Sequence, residues 1–585
     1  MMDRRASAKR CGSVRRLLRQ YYTPNQRFIL VAIGILVILR FLYFAFHTIH
    51  HTIQFSFKNN PLNHSAKERS RARADEIKKE FSWAFDRYRA VAWGKDEVLP
   101  VTGGFKTTRN GFAATLVDSL TTSLVMNLTS EAKLTLDYVL NKLDFAKYDE
   151  DDFLMDPFET TIRYLGSLVS AADILAKSDI FGPIPNQEQY REACIRKAVD
   201  LARTIAPAYD SPLGIPWPRV DLRNKLGVTD SDPNMMDSYE SSPRSGPARI
   251  GSNWLENYRL SSLVKDNEFV TNATRAWSSL VWNTNDETFD GLINSPIEIL
   301  TGHAGGRAVS LGAGHDSYYE YLIKAAILAP SDKHASMYSH RWEQAMTSAK
   351  LYLANRGSAP QSYTSDGDRP EDGYLFIARV DSDLYYNEMG HLTCYAPGNL
   401  ILGGKYLGRN DLIDFGLEVL KTCHATYITP TSIGPESFVW ETISHDDPEI
   451  DGGMEAVRWA ISTSGSHELE QLRKLGYWVS DARYFLRPEV IESYYYAFRI
   501  TGDDKYREWA WSAYKGLKRF CRSKYGYGEI QDVTMADGGG EIVDSSESFF
   551  MAETLKYLFL IFDDPNRMSL DEWVFSTEAH PFRIN

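Results

Sequence analysis

The chain has 585 residues, 43% apolar and 13% aromatic, which is ample for a large buried core and unlike a disordered protein. Its formal charge is −12, but residues 1 to 27 carry eight basic side chains against Asp3 alone, a balance of +7 that leaves −19 on the remainder. An acidic body argues against a nucleic-acid role, because phosphate binding needs a basic face.

Phe28 to Phe46, FILVAIGILVILRFLYFAF, is a run of 19 residues with one charge, close to the roughly 20 that cross a bilayer as helix. Arg40 would cost about 2.5 to 3.5 kcal/mol at the midplane, but it lies past the centre and can snorkel to the far headgroups. The run exceeds the roughly 7 to 15 residues of a signal-peptide core and no small-residue cleavage site follows, so an uncleaved anchor is expected. With basic residues on its N-terminal side, residues 1–27 are expected in the cytoplasm and everything after His47 in the lumen. Three sequons agree with a lumenal body: Asn63-His64-Ser65, Asn127-Leu128-Thr129 and Asn272-Ala273-Thr274. Cys11 falls in the tail, while Cys194, Cys394, Cys423 and Cys521 leave room for one or two disulfides whose pairing spacing does not give.

Residues 47–78 are polar and charged and are expected to be a stem. Residues 79–585 show no composition break and are expected to form a single all-α domain. Apolar and aromatic residues recur at three and four in Glu159–Leu175, Asp316–Leu328, Glu489–Arg499 and Lys505–Tyr525. Thr501-Gly502-Asp503-Asp504 supplies a C′ glycine and then an N-cap, which makes the last two a helix hairpin. Long loops rich in Pro, Gly, Ser and Asp, at 206–251 and 357–373, are the kind that carry sites on a helical scaffold.

Several helix starts carry carboxylates. In Leu486–Ser493, LRPEVIES, Pro488 suits the first helical position, which puts Glu489 in the first turn and Glu492 one turn along the same face. Glu159 and Arg163 stand one turn apart, which by itself is an ordinary i,i+4 ion pair. Asp316 follows a glycine-rich turn and could serve simply as an N-cap. Ser576–Pro581 could be no more than a frayed C-terminus. Aromatics and scattered carboxylates in an acidic, lumenal, helical body point to carbohydrate chemistry, since sugars stack on rings and glycosidic cleavage takes two carboxyl groups.

Many collinear motifs turn that suggestion into a resemblance. WAFDRYRAVAWGKDEVLP (83–100), ATLVDSL (114–120), FETTIRYLG (158–166), GAGHDSYYEYLIK (312–324), HLTC (391–394), GPE (434–436), YFLRPEVIES (484–493), ESFFMAETLKYLFLIF (547–562) and TEAHP (577–581) resemble glycoside hydrolase family 47, the class I α-1,2-mannosidases of the secretory pathway. The resemblance implies an (α/α)7 barrel and a Ca2+-dependent, inverting hydrolysis of terminal α-1,2-linked mannose from high-mannose N-glycans. It implies Glu159, Asp316 and Glu489 as the central carboxylates, with Glu489 as base, Glu159 as acid through a relaying water, and Asp316 as its rival. Burial is expected to raise the pKa of the acid. Thr577 is implied as the direct calcium ligand. Arg163, Glu256, His391, Arg487, Glu492, Phe549, Glu553 and Glu578 are implied around the sugar or its water shell, and Cys394 with Cys423 as the disulfide, leaving Cys194 and Cys521 free.

The chain departs from the family pattern in places. Thr121 stands where a second Asp is usual, Asn127 where Gly is common, and Gly390 where an Asp is frequent. LEN (255–257) replaces Leu-Glu-Phe. Gly314, two before Asp316, resembles the broadly trimming Golgi or fungal type, since members that remove a single mannose tend to have Arg there. A mannosidase-like lectin of glycoprotein quality control is the alternative, which the full carboxylate set disfavours.

Overall fold

The computed structural model describes residues 64–177, 184–230, 243–361, 370–442 and 466–584, apart from Ala536 and Gly538. The anchor expected at Phe28–Phe46 and the sequon at Asn63 lie outside the described residues, among which no helix is long and apolar enough to cross a membrane. The first described helix, His64–Val91, begins within the expected stem. Ala74, Ile77 and Phe81 are buried along it, Arg73 forms a two-pronged salt bridge with Glu508, and Arg507 donates to Ser70. Residues 64–78 are therefore packed on the body.

Consecutive helices pack in pairs, because each buries its apolar stripe against the next. The pairs are Leu120–Val125 with Thr129–Asn141, Gly166–Leu175 with Gln187–Ile205, Trp254–Val264 with Glu268–Val281, and Asp316–Leu328 with Ala335–Ser348. Ala396–Leu407 with Asn410–Ala425, Glu489–Thr501 with Lys505–Gly516, and Leu555–Phe562 with His64–Val91 continue the series. The first-named helix of each pair also touches the first-named helix of the next, and Leu555–Phe562 returns to Leu120–Val125. The helices thus close an α/α ring of inner and outer layers.

Burial follows the layer. Inner helices are covered all round: every residue of Gly166–Leu175 and Leu555–Phe562 is buried, as is Ser317–Leu328. The outer helix Gln187–Ile205 buries only a stripe of Tyr190, Ala193, Cys194, Ala198, Leu201, Ala202 and Ile205. The hairpin at Thr501–Asp504 forms with Gly502 left-handed at φ 74°, but it is Asp503, not Asp504, whose carboxylate caps Lys505 N–H at 3.0 Å. Asp504 turns instead to Arg507 at 2.5 Å.

The loops contain short antiparallel strands that helical periodicity does not signal. Glu388–Gly390, Ser437–Val439 and Trp478–Asp481 form one three-stranded sheet, and Leu154–Met155, Arg219–Asp221 and Leu226–Val228 another. Gly390 pairs with Ser437, so His391 N–H donates to Glu436 carbonyl at 2.8 Å and two distant motifs meet.

Candidate active site

Three inner-ring segments begin at one cavity of about 280 Å³. Pro157–Thr160 is capped by Asp156, whose Oδ1 accepts from Phe158 and Glu159 N–H at 3.0 and 3.3 Å. Arg219 and Arg249 hold the other Asp156 oxygen at 2.8 and 3.1 Å. Asp316 is the first residue of its helix and not its N-cap, which is His315, and its Oδ1 accepts from its neighbour Ser317. Glu489 likewise opens its helix, with Pro488 one position earlier than expected, at the N-cap. Helix N-termini carry partial positive charge, which favours carboxylates at each start.

Leu486, just upstream, is fully buried at φ 63°, a conformation rare for a branched side chain. Thr554 Oγ1 donates to its carbonyl at 2.8 Å and helps hold the bend. Arg487 follows, gripping Glu436 of the GPE motif with Nε at 2.7 and 3.0 Å and Nη2 at 2.7 Å, while Nη1 lies 4.0 Å from Glu489.

The cavity is lined by seven carboxyl groups, Glu159, Asp316, Glu320, Glu489, Glu492, Glu553 and Glu578, and three guanidinium groups, Arg163, Arg249 and Arg487. Phe158, Phe549, Tyr395 and Thr577 complete the wall used below. Of the residues expected here, Glu256 and His391 are set back from it. His391 lies behind Glu489, its Nδ1 2.7 Å from Oε2 and its Nε2 2.7 Å from Tyr427 Oη. With its proton on Nδ1 the ring donates to Glu489 and accepts from Tyr427. Glu256 lies behind Tyr321, whose hydroxyl donates to it at 2.6 Å.

The carboxyls separate by environment. Burial would raise Glu159, but Arg163 at 2.7 Å and Arg109 at 3.6 Å hold it down to about 2. Burial would also raise Glu489, yet the His391 hydrogen bond and Arg487 keep it below the usual carboxylate range. Asp316 has no such partner: burial, with the charges of Glu320 and Glu489, pushes it up to about 7 despite the Ser317 hydrogen bonds. Burial likewise raises Glu492 and Glu578 to about 8, and Glu553 and Glu578 share a hydrogen bond that requires a proton between them. The raised pKa expected of Glu159 is thus found at Asp316. The physical reason is Arg163 and Arg109, whose charges outweigh desolvation.

Arg163 sits on a π-helical turn, Thr161–Leu165, and Glu553 on another, Phe550–Thr554. Beyond Glu159, Arg163 reaches Glu578 at 3.4 Å and Ser548 Oγ at 2.7 Å, and its guanidinium lies over the Phe549 ring at 5.4 Å. Ser548 in turn donates to buried Asp118. Thr121 bonds His580 Nδ1 and accepts from buried Lys556, both at 2.9 Å.

Arg109, Arg249, Glu320 and Glu436 take part without having been singled out in the sequence. Glu320 and Glu436 lie inside recognised motifs, GAGHDSYYEYLIK and GPE, whereas Arg109 and Arg249 carry no local signal. Cys394 and Cys423 are disulfide-bonded, and Cys194 and Cys521 are free and buried. Ser493 Oγ donates to Cys394 carbonyl at 2.5 Å, tying the His391 segment to the Glu489 helix.

Among the described residues no group of three or more His, Cys, Asp or Glu could hold a metal directly. A hard cation would here meet Thr577 oxygens and, through water, carboxylates, including Glu578 whose Oε2 is buried without a hydrogen-bond partner. The hydroxyl, carbonyl and carboxyl oxygens of this wall fit Ca2+ bound largely by water.

Residues 80–584 match the model of Glycosyl hydrolase family 47. A mannosyl-oligosaccharide alpha-1,2-mannosidase 1B of Aspergillus phoenicis is 35% identical over 90% of this chain and 94% of its own length. A mannosyl-oligosaccharide alpha-1,2-mannosidase of Penicillium citrinum is 34% identical, over 88% and 92%. The solved alpha-1,2-mannosidase from Trichoderma reesei superposes with a TM-score of 0.75 at 31% identity, covering 88% of this chain and 99% of that one. With the helix ring, the carboxyl-lined cavity and these likenesses agreeing, the chain belongs to glycosyl hydrolase family 47.

Proposed function

We propose that this protein is a Ca2+-dependent α-1,2-mannosidase that trims high-mannose N-glycans with inversion. The observation that carries the reading is one cavity with an ionised carboxylate, Glu489, and a proton-holding one, Asp316. Glu489 takes a proton from water as its oxygen attacks the anomeric carbon, and Asp316 gives its proton to the departing glycosidic oxygen. Glu159, fixed as an anion by Arg163, stabilises positive charge developing on the sugar ring. His391 holds Glu489 in place, and Arg487 offers Nη1 to a sugar hydroxyl. When bound at Thr577, Ca2+ supplies a charge that orients water and hydroxyls. A glycan-binding lectin would need no such division of protonation states.

The ring of helix pairs supports an (α/α)7 barrel. The apolar run at Phe28–Phe46 and its basic flank support a type II membrane anchor in the secretory pathway. Gly314 stands at the cavity wall with φ 87° and nothing within 4 Å of where a Cβ would project. That open wall supports trimming of more than one branch.

The test is incubation of the purified protein with α-1,2-linked oligomannose. The expected outcome is release of mannose, its abolition by chelator, and β-mannose as the first product seen by proton NMR. Initial α-mannose defeats the inverting mechanism, and a time course of glycan products tells one removed mannose from several.

A further inference from the structure

We propose that Tyr321 is a positioning residue for the calcium site, aiming Thr577 through a hydrogen-bonded chain that starts at Glu256. The inference rests on the calcium reading above.

Tyr321 and Glu256 are both fully buried on inner helices, Asp316–Leu328 and Trp254–Val264. The Tyr321 hydroxyl donates to Glu256 Oε1 at 2.6 Å, and Thr577 N–H donates to the same hydroxyl at 3.3 Å. A phenol has one proton. Because Glu256 takes it, the Tyr321 oxygen is left as a pure acceptor facing Thr577, so Glu256 sets the polarity of the contact. Glu256 Oε2 has no hydrogen-bond partner among the described residues, so the Tyr321 hydroxyl is the one side chain seen to hydrogen-bond this carboxyl there.

The segment being aimed is tight. Ala579 adopts φ 56°, Ser576 N–H donates to His580 carbonyl at 2.9 Å, and buried Lys556 donates to Ala579 carbonyl at 2.8 Å. These bonds close the C-terminal side of the turn. Tyr321 is what meets the Thr577 backbone itself, at the residue whose hydroxyl and carbonyl would face the cation. Partners one bond removed from a metal ligand fix its orientation, and losing them costs about 10- to 100-fold in metal affinity.

Calorimetric titration of Ca2+ into the chelator-stripped full-length protein tests this. Tyr321→Phe is expected to bind Ca2+ about 10- to 100-fold more weakly, with kcat recovered at saturating Ca2+. Glu256→Gln keeps an acceptor oxygen and is expected to retain wild-type affinity, whereas Glu256→Leu loses it; this pair decides the matter should Tyr321→Phe fail to fold. Wild-type affinity in Tyr321→Phe, or equal affinities in Glu256→Gln and Glu256→Leu, overturns the inference alone. No binding by the wild type removes the calcium reading and this inference together.

Discussion

The carboxyl groups of the cavity form two sets, and the difference between them is countercharge. Glu159 and Glu489 are anions because Arg163, Arg109, Arg487 and His391 stand against them. Asp316, Glu492 and Glu553 are answered by hydroxyls, backbone and other carboxyls, and Glu578 has only a share of Arg163, 3.4 Å away and already bound to Glu159, so burial raises all four. Lys324 does not rescue Glu492, because it lies 3.7 Å away and is already paired with Glu320. Similar helix starts thus yield a base in one place and an acid in another.

The comparison can be broken by removing one member of each set. Glu489→Gln removes the base and is expected to lower kcat by about 10³-fold while glycan binding by calorimetry persists; near-wild-type turnover would take Glu489 out of the mechanism. Asp316→Asn is expected to cost about 10²-fold or more and to abolish the alkaline limb of the pH–rate profile, which in the wild type falls above about 7. Glu159→Gln should lower the rate yet keep that limb. A limb that vanishes in Glu159→Gln and survives in Asp316→Asn would return the acid role to Glu159.

Stability sharpens the same contrast. Burial raises the folded-state pKa of Glu492 and Glu578 to about 8, against about 4.5 for an exposed glutamate. Between those limits the folded state binds more protons than the unfolded, so stability is fully present below about 4.5 and falls as pH rises toward 8. Chelator-stripped protein should therefore melt lower at pH 8 than at pH 5.5, and added Ca2+ should narrow the gap by offsetting the anions. A melting temperature that climbs over that range would deny that these carboxyls are protonated. The smallest effect is expected from Arg109→Met. Losing one of the guanidiniums near Glu159 should raise its pKa only slightly, followed by carbon NMR of the labelled carboxyl, with Arg163 still holding it ionised.

Much of the fold was legible because helix periodicity survives in any context. Asp316–Leu328 begins and ends as its pattern indicates, and Gly502 closes its helix because only a left-handed residue fits there. Lys505–Tyr525 was less faithful: its α-helix gives way at Gly516 to a π turn ending at Cys521. The stem was misleading at 64–78, since charged residues such as Arg73 and Arg507 bury their stems in forming long-range pairs that composition does not reveal. The short strands escaped because two to five residues are too few to establish a period.

The sequence by itself determined which residues could do chemistry: carboxylates at helix starts, collinear motifs, two cysteines implied as a pair. It could not say which carboxyl keeps its proton or which oxygen is aimed where, because that depends on partners from elsewhere in the chain. Arg109 is 50 residues from Glu159, His391 is 98 from Glu489, and Tyr321 is 256 from Thr577. Only the tertiary structure brings them together, and in a low-dielectric interior a few ångströms of separation decide the charge.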